Sequence, residues 1–524
     1  MKSPPTHTAD LLEQAASLWG DKHFLVEDER TLSFNDALEA VKALACGLIG
    51  RGAQPGTRIA LWAPNCVEWV ISALAIQYLG GTLVTLNTRY RGHEAAQILR
   101  LSGSSLLISV DQFLGIDYPA LLEGEDCGAL ETTLVIQGSG PNALEQVMAE
   151  GASALNDAGS DLACALERAR ARVSGDDLSD ILFTSGTTGT PKGVMTTHAQ
   201  NLRAFSSFAD ILGLNSDDRY LIINPFFHSF GYKAGWLACL LVGAEAHPLA
   251  TFDSERVIDL IRARSITCMP GPPTLFHALI HHPGLDAKDI RSLTKVTTGA
   301  AVIPTELVEA MWRVLGIETV ITAYGLSETC GLVTMCRRGD SADTIAGSSG
   351  RAIPDVEVAI MDGEGQLLPP GETGEIVVRG FNVMRGYLDQ DDATEKTIDP
   401  AGWLHTGDVG SLDNAGNLSI TDRLKDMYIS GGFNCYPAEI EQLLTRHPAI
   451  AQAAVVGMQD DRLGEVGAAF LVTSTPEPPD DQTVMSWCQQ EMANYKIPRV
   501  IRWVDALPLN ASGKVLKTVL RERL

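Results

Sequence analysis

The chain has 524 residues, more than one hydrophobic core usually serves, so we expect at least two domains. Its 65 acidic residues against 40 basic ones give a formal charge of −25. Such a field repels nucleic acid and anionic membranes, which excludes both as general partners. The apolar content of 45% and the charged content of 20% are those of an ordinary globular protein.

Neither a membrane span nor a targeting segment is evident in the sequence. No run of about 18 apolar residues is present, and the first residues lack the apolar core of a signal peptide. The ten cysteines are scattered, without a Cys-x-x-Cys pair or the spacing of a zinc site. We therefore expect a cytoplasmic protein with reduced thiols.

Residues 8–110 alternate between helical periodicity and short apolar runs. Leu38, Val41 and Leu48 share one face of a predicted helix, and Gly52 is placed to end it. The predicted helices are 35–52, 66–78 and about 94–101, and the predicted strands are 59–62, 83–86 and 106–110. This alternation predicts βαβ units, and hence a parallel sheet with helices on both faces.

Residues 111–176 have a weaker pattern. Glycine-rich stretches at 138–141 and 151–159 predict a loop-rich connection, with one helix at 163–173. The alternation then resumes, with predicted strands at 220–223, 266–269, 295–298 and 319–322, and predicted helices at 198–212, 235–241, 255–264 and 304–315.

The pattern changes again near residue 347. Short runs between turn signals predict antiparallel strands at 356–361, 375–379 and 418–421. Beyond them, a compact α+β unit is predicted, with helices at 438–446 and 484–492 and strands at 453–457, 469–473 and 500–504. We place the domain boundary at 422–426.

Residues 181–193 read Ile-Leu-Phe-Thr-Ser-Gly-Thr-Thr-Gly-Thr-Pro-Lys-Gly, in which an apolar strand leads into hydroxyls and glycines and then a lysine. Glycines let backbone N–H groups approach an anion, hydroxyls donate further hydrogen bonds, and Lys192 offsets charge. Because Pro191 precedes Lys192, the segment is not a Walker A loop. Clusters of this composition are often only solvated loops, but this order of residues favours a triphosphate cradle.

Four further clusters follow predicted strands, where open parallel sheets bind ligands. They lie at 225–231, which contains His228, and at 297–301, 322–329 and 402–408. Tyr324 has the ring to stack on a base, Glu328 has the carboxylate to hold Mg²⁺, and Asp408 can accept hydrogen bonds from a ribose. The plain alternatives are a packed core histidine for His228, a surface acid for Glu328 and an Asx turn for Asp408.

Taken together, the motifs at 181–193, 324–329, 402–408, 422–426 and 510–514 occur in the order of the adenylate-forming superfamily, which the chain resembles from about residue 10 onward. That superfamily contains acyl- and aryl-CoA synthetases, luciferases and peptide-synthetase adenylation domains. The resemblance implies an α/β fold in three parts. They are an N-terminal domain at 1–421 with two parallel α/β subdomains and a small β-barrel at about 347–421, a hinge at 422–426, and a mobile α+β C-terminal domain at 427–524.

The resemblance also implies a set of residues for ATP and Mg²⁺. The phosphates would be bound by Thr184, Ser185, Gly186, Thr187, Thr188, Gly189, Thr190, Pro191 and Lys192; adenine by Gly299, Ala300, Ala301, Tyr324 and Gly325; the α-phosphate by Thr329; the ribose by Asp408 and Arg423; and Mg²⁺ by Glu328 and Thr188. Lys514 would bridge the substrate carboxylate and the α-phosphate. There an ammonium and Mg²⁺ stabilise the charge that builds in the transition state.

For the second half of the reaction, the resemblance implies that the C-terminal domain pivots at Lys425 and that a thiol displaces AMP. The path of the CoA arm would be lined by Gly431, Gly432, Phe433 and Asn434, with His228 as a gate between the half-sites. The acyl pocket would be lined by Phe227, His228, Trp236, Ala300, Gly331 and Leu332, with Phe226, Tyr232, Cys330 and Met335 as further candidates. The sequence permits a homodimer but does not specify one.

The acid is less sharply specified than the reaction. The mostly apolar pocket candidates favour a hydrophobic acid over acetate. Residues 224–235 and 425–437 resemble bacterial ligases that activate the ring-bearing propanoate of steroid breakdown, and a medium- or long-chain fatty acid is the alternative. Ile429 stands where phenylpropanoid-type ligases carry a lysine, which argues against a hydroxycinnamate.

Other acceptors and one other class of protein remain as alternatives. The acceptor could be a carrier-protein thiol, or oxygen as in luciferases, but no carrier-type Asp-Ser-Leu motif is evident. A nucleotide-binding sensor without turnover would be expected to lack Lys514, Glu328 or the cradle, and all three are present. A ligase that forms a CoA thioester from an acid, ATP and CoA is therefore the favoured reading.

Overall fold

The computed structural model describes residues 5–184, 190–283, 285, 288–299, 303–423, 428–435, 437–508 and 515–524. Within these ranges, no helix is long and apolar enough to span a bilayer.

The helices alternate with strands along most of the chain. They are α1 (Thr8–Trp19), α2 (Phe34–Gly50), α3 (Val67–Tyr78), α4 (Gly92–Ser102), α5 (Tyr118–Leu121), α6 (Leu144–Asn156), α7 (Asp161–Arg170), α8 (His198–Leu212), α9 (Ser229–Gly231), α10 (Ala238–Val242), α11 (Ser254–Arg264), α12 (Pro273–Ile280), α13 (Thr305–Arg313), α14 (Ala342–Gly347), α15 (Asp391–Thr397), α16 (Pro437–Leu444), α17 (Asp481–Glu491) and α18 (Lys517–Arg521). A π-helical stretch, Tyr232–Leu237, joins α9 to α10, and a 3-10 turn covers Ser327–Thr329.

Among the described residues, the strands belong to four sheets, of nine, seven, four and five strands, and to one small hairpin. They are β1 (His23–Glu27), β2 (Arg30–Ser33), β3 (Arg58–Trp62), β4 (Thr82–Thr85), β5 (Leu106–Val110), β6 (Gln112–Phe113), β7 (Ile116–Asp117), β8 (Thr132–Ile136), β9 (Leu178–Thr184), β10 (Lys192–Thr197), β11 (Arg219–Ile222), β12 (Glu245–Pro248), β13 (Cys268–Gly271), β14 (Lys295–Thr298), β15 (Thr319–Tyr324), β16 (Thr334–Met335), β17 (Arg351–Ala352), β18 (Val356–Met361), β19 (Gly374–Gly380), β20 (Gly386–Tyr387), β21 (Leu404–Leu412), β22 (Leu418–Arg423), β23 (Tyr428–Ser430), β24 (Phe433–Cys435), β25 (Ile450–Asp460), β26 (Gly464–Thr473) and β27 (Val500–Trp503).

Local sequence signals set the ends of the long helices. Ser33 caps α2 and forms a capping box with Asp36, and Thr197 with Gln200 does the same for α8. Gly213 ends α8 in the left-handed conformation, with φ +73°. The prediction of a helix at 198–212 is confirmed.

Two large sheets carry the N-terminal part of the fold. Among the described residues, one sheet has the strand order β17-β16-β15-β14-β13-β11-β12-β1-β2, and the other has β20-β10-β9-β4-β3-β5-β8. Strands β11 to β15 run parallel, as do β3, β4, β5, β8 and β9. The predicted parallel α/β architecture is confirmed in both halves. Strands β3, β4 and β5 are almost entirely buried, as expected for strands covered on both faces.

The prediction of a loop-rich connection at 111–176 is wrong. That segment contains β8, on the edge of the second sheet, and α6, which runs through the glycine at position 151. Glycine lowers helix propensity, and this misled the prediction. In the fold Gly151 packs against α2, where an added Cβ would lie 1.9 Å from the Ala43 carbonyl oxygen. Only a residue without a side chain permits that approach.

A hairpin frames the predicted phosphate loop. Strand β10, which the sequence pattern did not predict, pairs antiparallel with β9, and Thr184 and Lys192 are cross-strand partners. The intervening residues 185–189 lie outside the described ranges. The loop therefore joins two antiparallel strands, and α8 follows the second of them.

The remaining strands form two separate antiparallel arrangements. Strands β18, β19, β21 and β22 form a sheet in that order, at the place of the expected β-barrel. The C-terminal sheet has β25, β26, β23 and β24, with β27 parallel to β26. Residues 428–524 enclose hydrophobic clusters of their own, around Ile440 and Val484 and around Phe470 and Leu507. The main cluster contains residues from 9 to 418.

Candidate active site

Tyr324 and Asp408 are brought together from two different sheets. Tyr324 ends β15 of the nine-stranded sheet, and Asp408 lies on β21 of the antiparallel sheet. The Tyr324 hydroxyl donates a hydrogen bond of 2.7 Å to Asp408 Oδ2, and both residues are buried. The backbone of Arg423 on β22 pairs opposite Asp408. The expected base-side and ribose-side residues are therefore neighbours.

Glu328 lies next to the cation of the predicted phosphate cradle. Its Oε1 accepts a hydrogen bond of 2.9 Å from the Tyr387 hydroxyl. Lys192 Nζ lies 4.6 Å from the centre of the same tyrosine ring, within range of a cation–π contact. Tyr387 is on β20, which pairs with β10, so the sheet register brings Lys192 to the ring whose hydroxyl bonds Glu328. A carboxylate beside a phosphate-binding loop fits Mg²⁺, which takes one or two protein oxygens together with substrate phosphates.

Thr329 faces inward beside this pair. It is fully buried, and its hydroxyl accepts a hydrogen bond from Leu326 N and also lies 3.0 Å from Leu326 O. Gly325 is exposed in the same turn, and a Cβ there would lie 2.3 Å from the Gly331 carbonyl oxygen. The turn that follows β15 therefore folds tightly back on the Gly331 segment.

The segment that carries His228 is held by side chains from the other sheet. Asn65, which follows β3, donates to the carbonyl oxygens of Ile222, Asn224 and Leu249 and accepts a hydrogen bond from the Phe226 N–H at 2.8 Å. Thr85 at the end of β4 donates to the Phe227 carbonyl at 2.9 Å. Both large sheets thus fix the position of this segment.

His228 lies where the N-terminal and C-terminal parts meet. Its ring centre is 4.6 Å from that of Phe227 and 6.4 Å from that of Phe433, which is on β24. The residue is exposed, and desolvation by the protein atoms around it lowers the pKa of the imidazole. At neutral pH His228 is therefore uncharged.

The predicted acyl-pocket residues lie around the same segment. Trp236, Leu332, Tyr232 and Cys330 are all buried. The Trp236 ring stacks on that of Tyr232 and packs against Trp69, so it belongs to the core behind this segment. Trp236 belongs to the π-helical stretch, in which Gly235 departs from helical geometry. Lys233 in that stretch is paired with Asp180 at 2.9 Å, and both side chains are almost fully buried. This cation is therefore neutralised within the protein.

Several predicted site residues fall outside the described ranges. They are Ser185, Gly186, Thr187, Thr188, Gly189, Ala300, Ala301, Lys425 and Lys514. The side chains of Arg423 and Asn434 are likewise outside the described part of the chain. Gly299 is described and follows β14, and Thr190 and Pro191 precede β10. Gly431 and Gly432 form the turn before Phe433, with φ values of +57° and +83°.

Three residues that support the site were not found from the sequence. Asn65 lies in an Ala-Pro-Asn turn of ordinary composition. The one sequence signal for a role at the site was its position directly after a predicted strand. Tyr387 lies in a two-residue strand, too short for a periodicity. Lys496 follows Tyr495 near the C-terminus, and its partners are about 400 and 57 residues away in sequence.

The fold and the site define a nucleotide-binding α/β enzyme with a C-terminal α+β part that contacts the N-terminal part beside His228. A family model described as AMP-binding enzyme matches residues 12–388, and one described as AMP-binding enzyme C-terminal domain matches residues 439–514. The chain belongs to the AMP-binding enzyme family.

Relatives of the chain have specific names. It is 44% identical, over 523 residues, to a 3-[(3aS,4S,7aS)-7a-methyl-1,5-dioxo-octahydro-1H-inden-4-yl]propanoyl:CoA ligase of Rhodococcus jostii (strain RHA1), covering 100% of this chain and 99% of the relative. It is 46% identical, over 503 residues, to the ligase of the same name from Mycobacterium tuberculosis, covering 96% of each.

Solved structures of one enzyme superpose on the chain to different degrees. The o-succinylbenzoate CoA synthetase of Bacillus subtilis, as a double mutant bound to its product analogue OSB-NCoA, matches with a TM-score of 0.82, 30% identity and 98% coverage of both chains. The same enzyme with the acyl-adenylate intermediate OSB-AMP matches with a TM-score of 0.67 and 30% identity, covering 98% of this chain and 97% of that one. These structures confirm the predicted fold class.

Proposed function

We propose that the chain is an ATP-dependent acid–thiol ligase that makes an acyl-CoA in two steps. In the first, a carboxylate oxygen attacks the α-phosphorus of ATP, and the bond to pyrophosphate breaks. In the second, the sulfur of CoA attacks the acyl carbonyl of the acyl-AMP, AMP leaves with the bonding electrons, and the thiol proton is released. The observation that supports this most is the hydrogen bond of 2.7 Å between Tyr324 and Asp408, which brings the expected base-side and ribose-side residues together. The His228 ring lies 6.4 Å from that of Phe433, which follows the Gly431–Gly432 turn.

The adenylation step needs positive charge at two places. Lys192 and the backbone of its loop would bind the β- and γ-phosphates, and Lys514 would reach the attacking carboxylate and the α-phosphate. Glu328 with Thr188 would hold Mg²⁺, which offsets phosphate charge when bound. The pKa of His228 is lowered by desolvation, so this ring would supply a flat wall and no counter-charge. The carboxylate must therefore rely on Lys514 and the metal.

The acid we propose is a bicyclic propanoate, like the one in the names of the two relatives at 44% and 46% identity. A fused-ring acid needs a wide apolar pocket, and the candidate lining residues Phe227, Trp236 and Leu332 are all apolar. Lys233 is already paired with Asp180, so it would not attract a second carboxylate. A medium- or long-chain fatty acid is the competing substrate class.

The test is a substrate panel with product identification. The purified protein would be incubated with Mg-ATP, CoA and single acids, namely fatty acids of three length classes, benzoates, cinnamates and bicyclic dioxo-indane propanoates, and the products identified by mass spectrometry. We expect one strong acyl-CoA, from the bicyclic propanoate, and its loss in Lys514→Ala. Lys517→Ala, which removes a lysine on α18 that is paired with Glu441 on α16, is the matched control and should retain activity.

Other outcomes would point elsewhere. A fatty acyl-CoA as the main product would overturn the substrate assignment and keep the reaction. Acyl-AMP without a thioester would reassign the acceptor. If the protein bound ATP but formed no product from any acid, its assignment as an enzyme would be overturned and a nucleotide-binding sensor would be favoured.

A further inference from the structure

A buried ion cluster joins the N-terminal and C-terminal parts of the molecule. Lys496 lies between α17 and β27, and its Nζ is 2.5 Å from Glu94 Oε1 and 2.7 Å from Glu439 Oε1. Glu94 is on α4 of the N-terminal part, whereas Glu439 is on α16 of the C-terminal part. Lys496 is 2% exposed and Glu94 is 6% exposed. One ammonium thus holds carboxylates from both parts.

The surroundings of Lys496 keep it charged. Burial alone would lower its pKa, but Glu439 and Glu94 outweigh this effect, so the pKa lies well above its ordinary value. The rings of Tyr90 and Tyr495 lie 4.9 Å and 5.7 Å from the ammonium. These contacts add cation–π attraction from each side of the boundary.

Such a cluster is suited to a contact that must form and break. Removing two charges from water costs about as much free energy as their attraction returns, so a buried ion pair adds little net stability. A buried ion pair does fix the relative position of its two partners, because moving one of them away leaves the other charge buried without a counter-charge. An apolar contact of the same size would hold the two parts together more permanently.

The cluster is linked to the active-site cleft through neighbouring rings. Tyr495, the residue before Lys496, accepts a hydrogen bond of 3.1 Å from Asn87, which lies before α4. The Tyr495 ring stacks on Phe433 at 4.6 Å, and Phe433 faces His228. Placing Lys496 on Glu94 therefore also places Phe433 and the Gly431–Gly432 turn beside His228.

The two structures of the Bacillus subtilis enzyme bear on which step this arrangement serves. At nearly equal coverage and identity, the complex with the CoA product analogue superposes better than the complex with the acyl-adenylate, with TM-scores of 0.82 and 0.67. The arrangement that contains the Lys496–Glu94 contact is nearer to that of the product-analogue complex.

We propose that Lys496, held between Glu94 and Glu439, is a positioning residue that selects the arrangement in which the acyl group passes to the thiol. This proposal rests on the proposed function for its thiol step. Lys496 contacts no reacting atom and acts through Tyr495 and Phe433. Its loss should therefore affect acyl transfer and spare formation of the acyl-AMP.

The experiment measures the two half-reactions separately in Lys496→Met and Glu94→Gln. Pyrophosphate release without CoA reports adenylation, and single-turnover transfer from preformed acyl-AMP to CoA reports the second step. We expect adenylation to change by less than about 3-fold and transfer to fall by about 10- to 100-fold. Glu94→Gln is the milder change, because its amide oxygen can still accept the hydrogen bond from Arg91 N that starts α4.

The matched control is Lys517→Met. It breaks the Lys517–Glu441 pair, 2.8 Å long, which lies wholly within the C-terminal part. The ratio of the two half-reaction rates should stay as in the unmodified protein. Combining Lys496→Met with Glu94→Gln should lower transfer no further than the more damaging single change, because the two residues act as one unit. Equal loss of both half-reactions, or undiminished transfer, would overturn the proposal.

A measurement without substrates separates this proposal from the proposed function. Small-angle X-ray scattering of the ligand-free protein should fit the described arrangement, and the radius of gyration should rise in Lys496→Met and Glu94→Gln but not in Lys517→Met. If the unmodified protein made no acyl-AMP and the two variants still had a larger radius of gyration, the enzyme assignment would fail and Lys496 would keep its role in joining the two parts. Unchanged scattering in both variants would overturn that role too.

Discussion

Tyr324 Oη lies 2.7 Å from Asp408 Oδ2, although 84 residues separate them in the chain. The bond connects the carboxyl end of β15 to the antiparallel strand β21, so it joins two sheets at the predicted nucleotide site. A hydrogen bond to a charged group is worth about 1.5–3 kcal/mol. It holds the tyrosine ring and the carboxylate at a fixed separation.

Tyr324→Phe removes this bond and keeps the ring. We expect the KM for ATP to rise by about 10-fold, because the ring and Asp408 lose their common alignment. Tyr118→Phe is the control, since its hydroxyl makes an equally short bond, to the Thr88 carbonyl, in another part of the fold. Steady-state kinetics against ATP would check this. An unchanged KM in Tyr324→Phe would mean that the bond does not shape the nucleotide site.

Changes at Glu328 and Tyr387 should alter the dependence on Mg²⁺. Glu328→Gln removes the negative charge of the carboxylate that we propose binds Mg²⁺. We expect the rate of adenylation to fall by about 100-fold or more. Tyr387→Phe removes only the hydrogen bond to Glu328, and we expect a smaller loss, about 3- to 10-fold, with a higher Mg²⁺ requirement.

A magnesium titration of pyrophosphate release would measure both effects. The control is Glu357→Gln, which removes an exposed carboxylate paired with Arg379 on the antiparallel sheet. If Glu328→Gln kept the normal magnesium curve, the metal would have to be held by other residues.

Gly151→Ala tests the close contact between α6 and α2. The added Cβ would meet the Ala43 carbonyl oxygen at 1.9 Å, so the helices must separate. We expect the free energy of unfolding to fall by about 1–3 kcal/mol, despite the better helix propensity of alanine. Gly159→Ala, where the nearest atom is Asp157 Oδ1 at 3.7 Å, should leave stability nearly unchanged. Urea denaturation would compare the two, and equal midpoints would contradict the packing argument.

His198 should make the protein less stable as the pH falls. It is fully buried with its Nδ1 2.9 Å from the Thr8 hydroxyl, and desolvation, with a contribution from His7, lowers its pKa from 6.5 to about 4. Between these values the unfolded chain binds a proton that the folded chain does not. Above about pH 6.5 the histidine is neutral in both states and costs no stability. As the pH falls from there to about 4, the free energy of unfolding decreases by up to about 3 kcal/mol.

Denaturation curves from pH 7 to pH 4.5 would measure this loss. In His198→Gln the slope of stability against pH should be smaller, whereas His281→Asn, which changes an exposed histidine, should keep the slope of the unmodified protein. The same slope in His198→Gln would show that other groups carry the pH dependence.

Hydrophobic periodicity, caps and turn residues were sufficient for most elements of the fold. Strands β5, β14 and β18 and helix α8 have the predicted bounds, because each is a local pattern bounded by a local signal. The errors lie where tertiary contacts override that signal. Helix α6 contains a glycine that helix packing requires, and β10 becomes a strand because it pairs with β9.

For the candidate site too, some features could be predicted from local sequence and others depended on tertiary contacts. The sequence by itself determined the chemistry, because a hydroxyl- and glycine-rich loop with Lys192, the Tyr324–Glu328 segment and Asp408 stand in a recognisable order. Tertiary structure decided which side chains meet. Asn65 holds the His228 segment across two sheets, Tyr387 receives both Glu328 and Lys192, and Lys496 binds Glu94 some 400 residues away. Such contacts depend on how sheets and parts pack, and packing is a property of the whole chain that no local spacing records.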